Sequence, residues 1–232
     1  MAHTYAAFAR LSRNSMDEMK ATNSKRTQEQ RSEDSRQRII EAAIEEFGNL
    51  GFSGARMRTI AAKAGVVHTL VAYHFQSKEN LWIECANSIE KAFTEALLDA
   101  MERSKTKDSG SMLKQLIKSI VVSAARNPHV HRFAQRFSLE NGQSSGKRRR
   151  TSSQTGSTDI VLKVIEDAQK DGVLPAGIEP IALRFIIGGA ATLVYVQPAE
   201  YEARTGRDPR QRDESDAFIE ALWKVFIPER KP

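Results

Sequence analysis

Residues 51–81, GFSGARMRTIAAKAGVVHTLVAYHFQSKENL, hold two short helical patterns joined at Gly65 and followed by an aromatic stop. Met57, Ile60, Ala61 and Ala64 recur at three- and four-residue spacing, the period of one helix face. Gly65 breaks that pattern where a helix C-terminus commonly needs a residue tolerating positive φ. A second pattern runs from Val67 to Phe75. It places Val67, Val71, His74 and Phe75 on one face, with Thr69, Ala72, Tyr73 and Gln76 opposite. A short helix with an apolar back and a front of small, hydrogen-bonding groups, entered through a glycine turn, predicts a helix-turn-helix that reads a DNA groove.

The same stretch resembles a known family. Gly51-Phe52, Ile60-Ala61, Ala64-Gly65-Val66, Tyr73-His74-Phe75, Ser77-Lys78-Glu79 and Leu81 are similar to the N-terminal DNA-binding domain of the TetR family of repressors, over roughly Arg36 to Leu81. The chain departs from the family pattern at Ala55 and Arg56, where Thr or Ser is usual, and at Val67, where Ser or Thr is usual. Leu70 and Ala72 replace a usual Thr and aromatic on the reading helix, so relatives do not give the operator sequence. The resemblance implies an all-α fold: a three-helix helix-turn-helix domain, then a C-terminal helical domain for ligand binding and dimerisation. It also implies a homodimer on a palindromic double-stranded DNA operator, released by an unidentified small-molecule inducer.

Composition agrees with such a partner without demanding it. The chain has 232 residues and a formal net charge of +6, with 40% hydrophobic and 28% charged residues. That is enough for one large or two small domains with real cores, and a basic balance suits a polyanion. One cysteine, Cys85, excludes an internal disulfide framework and fits a reducing compartment. No run approaches the ~18–20 apolar residues of a membrane span, and no signal-peptide core is present, so a cytoplasmic protein without membrane partners is expected.

Three domains are expected: a basic, disordered extension over 1–33, the helix-turn-helix domain over 34–82, and a helical domain over 83–232. In the extension, Arg10, Arg13, Lys20, Lys25, Arg26 and Arg31 are diluted by acidic residues, and a passive tail is favoured over a DNA-contacting arm. The first helix is expected from Ser35 to Leu50, with Ile39, Ile40, Ala43, Ile44 and Phe47 as its stripe, Glu45-Glu46 on its polar side and Gly51 as its stop. DNA contacts are expected from Arg56, Arg58, Thr59, Val67, His68, Thr69, Ala72, Tyr73, His74 and Lys78. Of these, Arg58, Tyr73, His74 and Lys78 would grip phosphate, and His68, Thr69, Ala72 and Tyr73 would face bases. Arg36 and Arg38 are further phosphate candidates.

In the second half, helices are expected over Glu79–Arg103, Met112–Arg126, from His129, from Asp159, over Pro180–Val196 and over Asp216–Phe226, with a polar loop over Pro198–Arg212. Phe133 and Phe137 share one face, and Arg132, Arg136 and Glu140 another. A core stripe with a charged edge is the favoured reading of that pattern. Phe133, Arg136, Phe137, Glu140 and Phe185 are also the candidates for a ligand cavity. Lys147-Arg148-Arg149-Arg150 reads as a solvated loop. The apolar helix at 180–196 carries Gly188-Gly189, which invites close approach of another helix. In proteins that resemble this one the last two long helices form a four-helix dimer interface, here Ile186, Ile187, Ala190, Leu193 and Val194 with Phe218, Leu222 and Trp223.

An enzyme is not expected. The sequence has no nucleophile elbow, no phosphate-cradling glycine loop and no paired carboxylates in apolar surroundings. His68 with His74, and His129 with His131, lack the spacing and company of metal ligands, so neither a metal nor a cofactor is expected. Two rival readings stay open: a sequence-independent, nucleoid-type DNA binder, and an interaction module whose helix-turn-helix no longer reads DNA.

Overall fold

The computed structural model describes residues 28–103, 108–143 and 156–227. Residues 1–27 of the expected extension and the Lys147–Arg150 loop lie outside the described residues. Every regular element among the described residues is helical: α1 (Gln28–Gly54), α2 (Met57–Lys63), α3 (His68–Phe75), α4 (Lys78–Arg103), α5 (Ser109–Arg126), α6 (Pro128–Gln143), α7 (Gly156–Lys170), α8 (Pro180–Val196), α9 (Pro198–Thr205) and α10 (Arg212–Phe226). They divide into two compact units. The first holds the described residues up to Ala92 together with His129 onward in α6, and the second holds Phe93–Pro128 and the described residues from 156 on.

This division differs from a cut at residue 82. Helix α6 lies far along the chain, but its apolar face completes the first core. Ile39, Ile40, Ile44 and Phe47 of α1 pack with Ile60 and Ala61 of α2, Val71 and Phe75 of α3, and Leu81, Trp82 and Cys85 of α4. Val130 and Phe133 of α6 close the cluster. Aromatic edges and faces tie it together: Trp82 lies 4.9 Å from Phe47 and 4.7 Å from Phe133, centroid to centroid. Burial pushes the Cys85 thiol well above its ordinary range, so it is a packing residue and an unreactive one.

Helix α1 begins earlier than its apolar stripe. Residues 28–34 are polar good helix formers without periodicity, so the pattern conceals the extra turns. Ser35, the expected start, instead sits inside the helix. Its hydroxyl donates back to the Ser32 carbonyl at 2.8 Å. At the other end Gly51, the expected stop, leaves the helix with φ 72°. Glu46, read as solvent-facing, is buried and paired with Lys63 at 3.0 Å, while Glu45 holds the same ammonium at 2.9 Å. These bonds tie α1 to α2 and raise the Lys63 pKa.

In the second unit α5 is central. Leu113, Leu116, Ile117, Ile120, Val121 and Ala124 are buried with Val161, Val164 and Ile165 of α7, Leu183, Ile187, Ala191 and Tyr195 of α8, and Ile219 and Leu222 of α10. The Asp108 carboxylate caps α5 by accepting from the Ser111 amide at 2.8 Å. The 198–212 stretch, expected as a loop, forms α9. Pro198 starts it, Gly206 ends it in the left-handed region, and no residue in it is buried, so no stripe announced it. Among the described residues no single helix is long and apolar enough to cross a membrane.

Two histidines of α6 give a pH signature. Burial, with a smaller repulsion from His129, pushes the His131 pKa down to about 4, and His129 is lowered mainly by burial too. A lowered histidine pKa means the unfolded chain binds more protons, so the stabilisation is complete above about pH 6.5 and is lost as pH falls toward 4. At about 1.4 kcal/mol per pH unit the loss is on the order of 3 kcal/mol for His131. His131→Leu should therefore flatten the fall in melting temperature between pH 7 and pH 5. Parallel melting curves for the variant and the wild type across that range would refute the assignment.

Candidate nucleic-acid interface

The reader is assembled by three local devices. Helix α2 ends in a Schellman arrangement, with Val66 N donating to Ala61 O at 3.0 Å and Gly65 N to Ala62 O at 3.1 Å. That geometry needs the left-handed φ of 64° at Gly65, which explains the glycine. Arg38 Nη1 then donates to the Ala64 carbonyl at 2.9 Å, which satisfies an orphan acceptor at the same helix end. Finally Val71 and Phe75 anchor the back of α3 in the core.

What remains outward is the front of α3. Val67, His68, Thr69, Ala72 and Tyr73 are exposed, and Tyr73 is 75% so. Val67 was expected on the inner face. It instead precedes the helix in an extended conformation, 68% exposed, so it joins the outward set. Arg56 and Arg58 are exposed at the start of α2, and Thr59 is half-buried beside them. Lys78 opens α4, with its ammonium 4.8 Å from the Phe52 ring centroid and 3.5 Å from the Ser53 carbonyl. The front thus gathers cations at two helix N-termini around a face of hydroxyls, methyls and one imidazole.

Three other candidates are committed inward. Arg36 pairs with Glu84 and lies over the Phe75 ring, and Arg38 caps α2, so both hold the domain together. His74 is half-buried, with Nε2 3.1 Å from the Ser35 hydroxyl. Burial and the nearby Arg36 lower its pKa. The sequence pattern missed this partner because Ser35 lies 39 residues upstream.

The ligand candidates on α6 are engaged with the first unit. Phe133 is buried in the first core, and Phe137 stacks beside it and Trp82. Arg136 Nε donates to the Gly48 carbonyl at 3.1 Å and Nη2 to the Asn49 carbonyl at 3.2 Å. Arg132 donates to the Asn49 side chain at 3.0 Å, and Glu140 accepts from the Phe52 amide at 3.0 Å. The charged edge of α6 is therefore spent on the end of α1, across more than 80 residues of chain. Phe185 is 68% exposed on α8.

A cavity does exist in the second unit. Leu97, Met101, Met112, Leu116, Ile160 and Val164 line it with Gln115 and Ser119, and its volume is about 20 Å³. No charged side chain lines it. The outer faces of α8 and α10 are also apolar: Ile181, Phe185, Ile186, Leu193 and Val225 are exposed. Ile187 and Leu222, expected at a dimer interface, are buried in the unit's own core. Ala190, Val194, Phe218 and Trp223 pack partly against that core.

Residues 39–85 match the family model of bacterial regulatory proteins, tetR family. The transcriptional repressor NicS of Pseudomonas putida is 28% identical over 145 residues, covering 62% of this chain and 68% of its own. A solved structure of a protein described as a transcriptional regulator from Streptomyces coelicolor is 27% identical. It covers 83% of this chain and 98% of its own, with a TM-score of 0.60. The fold is also that of AibR, solved with isovaleryl coenzyme A and operator DNA, with a TM-score of 0.64 at 17% identity over 84% of this chain and 98% of that one. Residues 39–85 are thus a DNA-binding region of the tetR type, carried on a helical chain that shares its fold with solved transcriptional regulators.

Proposed function

We propose that this transcriptional regulator represses its target genes as a homodimer on a palindromic operator and leaves the DNA when a small apolar ligand binds its second unit. The observation that carries the reading is the outward front of α3, with Thr69, Ala72 and Tyr73 exposed on a helix whose back is fixed by Val71 and Phe75. Two such helices related by a two-fold axis fit successive major grooves about 34–36 Å apart. Tyr73, Arg56, Arg58 and Lys78 bring most of the affinity through phosphate. Thr69 and His68 bring base preference, and Ala72 offers only a methyl.

The dimer partner is a second copy seated on α8 and α10. Their exposed Phe185, Ile186, Leu193 and Val225 form an apolar surface beside Gly188 and Gly189, where an added Cβ would meet nothing within 4 Å. An open glycine pair lets a facing helix approach closely. The ligand site is the uncharged cavity of α4, α5 and α7. A volume of about 20 Å³ holds no more than a water, so a ligand enters only as side chains move, and the thioethers of Met101 and Met112 move readily. Its lining suits a hydrocarbon chain. AibR, of the same fold, was solved with isovaleryl coenzyme A.

Selection of bound fragments from genomic DNA should return one palindrome, favoured by about 10³-fold or more over random duplex. Equal affinity for every duplex would instead identify a sequence-independent binder, and no binding at all an interaction module. On the selected site Arg58→Ala and Lys78→Ala should each weaken all binding and reduce the salt slope by about one. Thr69→Ala should change the ranking of sites, and a uniform loss across sequences would remove its reading role. Leu193→Glu should give monomers in sedimentation and abolish palindrome binding; a variant that remains dimeric would move the interface elsewhere.

A further inference from the structure

We infer that Arg136 and Glu140 are positioning residues of the DNA reader, clamping the turn that leads into it. The inference rests on the operator-binding reading. Because Gly51 leaves the helix, the last carbonyls of α1 have no helical amide to accept from. Arg136 supplies the missing donors, its Nε and Nη2 reaching Gly48 O and Asn49 O. One carboxylate oxygen of Glu140 accepts the first amide beyond the turn, Phe52 N, and the two side chains pair with each other at 4.0 Å. A planar guanidinium forking to two carbonyls, with a carboxylate on the next amide, fixes both the place and the direction of the chain.

The fit leaves no slack. A Cβ on Gly51 would lie 2.8 Å from Glu140 Oε1 and 2.9 Å from Arg136 Nη1, and a Cβ on Gly48 would lie 2.4 Å from the His129 carbonyl. What the clamp holds leads straight to the reader. Phe52 carries Lys78 over its ring, Ser53 offers its carbonyl to the same ammonium, and Ala55 N closes on Gly51 O at 3.2 Å just ahead of α2. On the other side, only Asn127 separates α6 from α5, and α5 is the central helix of the second core.

The test uses the full-length protein and its selected operator, with Arg136→Met, Arg136→Lys, Glu140→Met and the double variant Arg136→Met/Glu140→Met. Arg136→Met should bind the operator about 10-fold more weakly, with Arg136→Lys in between. The double variant should lose little more than the worse single one, because both act on one turn. The salt slope should stay that of the wild type, since no phosphate contact is removed, and the Phe52 amide should exchange faster. A salt slope lower by about one would overturn the inference by making Arg136 a phosphate ligand. So would operator affinity within about twofold of the wild type while Phe52 exchange accelerates. If Arg136→Met fails to fold, Arg136→Lys decides by the same two readouts. A wild-type chain without sequence preference, seen before any variant is made, would sink the operator reading and this inference with it.

Discussion

The first unit depends on a small core that α1 to α4 do not close by themselves. A helix-turn-helix of about 50 residues has too little interior to be independently secure, since so much of so short a chain stays at the surface. Phe133 and Val130 add what is missing, and Trp82, between Phe47 and Phe133, joins the two contributions. Because Gly48 lies flush against the His129 backbone, the junction tolerates no larger residue there. Gly51 performs a second duty at the same place. Its left-handed conformation turns the chain, and its bare Cα leaves room for the Arg136 and Glu140 side chains. A glycine that reads in sequence as a helix stop is also a docking surface.

That arrangement explains how charge is distributed over the unit. A chain with a net charge of +6 has cations to spare, but several are not available to a polyanion. Arg36, Arg38, Lys63 and Arg136 are held by Glu84, the Ala64 carbonyl, the Glu45–Glu46 pair and the end of α1. Arg56, Arg58 and Lys78 sit on the surface at helix starts. In the proposed complex these three offer DNA their charge at the openings of α2 and α4, where helix N-termini add their own partial positive charge.

The reader and its turns were legible because each depends on neighbours in sequence. Gly65, the three- and four-residue spacing through α2, and Val71 with Phe75 are local signals, and they placed α2 and α3 within a residue or two. The apolar stripes of α5, α7, α8 and α10 were legible for the same reason. Long-range partners were not. Nothing near Arg136 announces the Gly48 carbonyl, and nothing near His74 announces Ser35, so side chains that looked available for ligand or phosphate turned out to be engaged. Residues without apolar neighbours, such as 28–34 and α9, form helices from propensity and charge pairing, which leave no stripe. On α8 the sequence shows a helix apolar all round. Only packing separates Ile187, which is core, from Ile186, which is surface.

The exposed front of α3 also bears on the proposed pairing of two copies. An eight-residue helix that presents Thr69, Ala72 and His68 offers few bidentate contacts to base edges, and each good one contributes only about 1–3 kcal/mol of discrimination. One copy therefore reads too little sequence to find a site within a genome. Linking two readers makes the second engagement intramolecular, so half-site energies combine without a second loss of translational freedom, provided the spacing fits. The requirement for spacing then falls on whatever holds each reader to the rest of its chain. Within the reader's own unit, Arg136 and Glu140 of α6 hold the turn ahead of α2 through two charged side chains. Sparse base contacts and a rigid clamp are thus two sides of one constraint: the less a single helix reads, the more specificity depends on where the fold holds it.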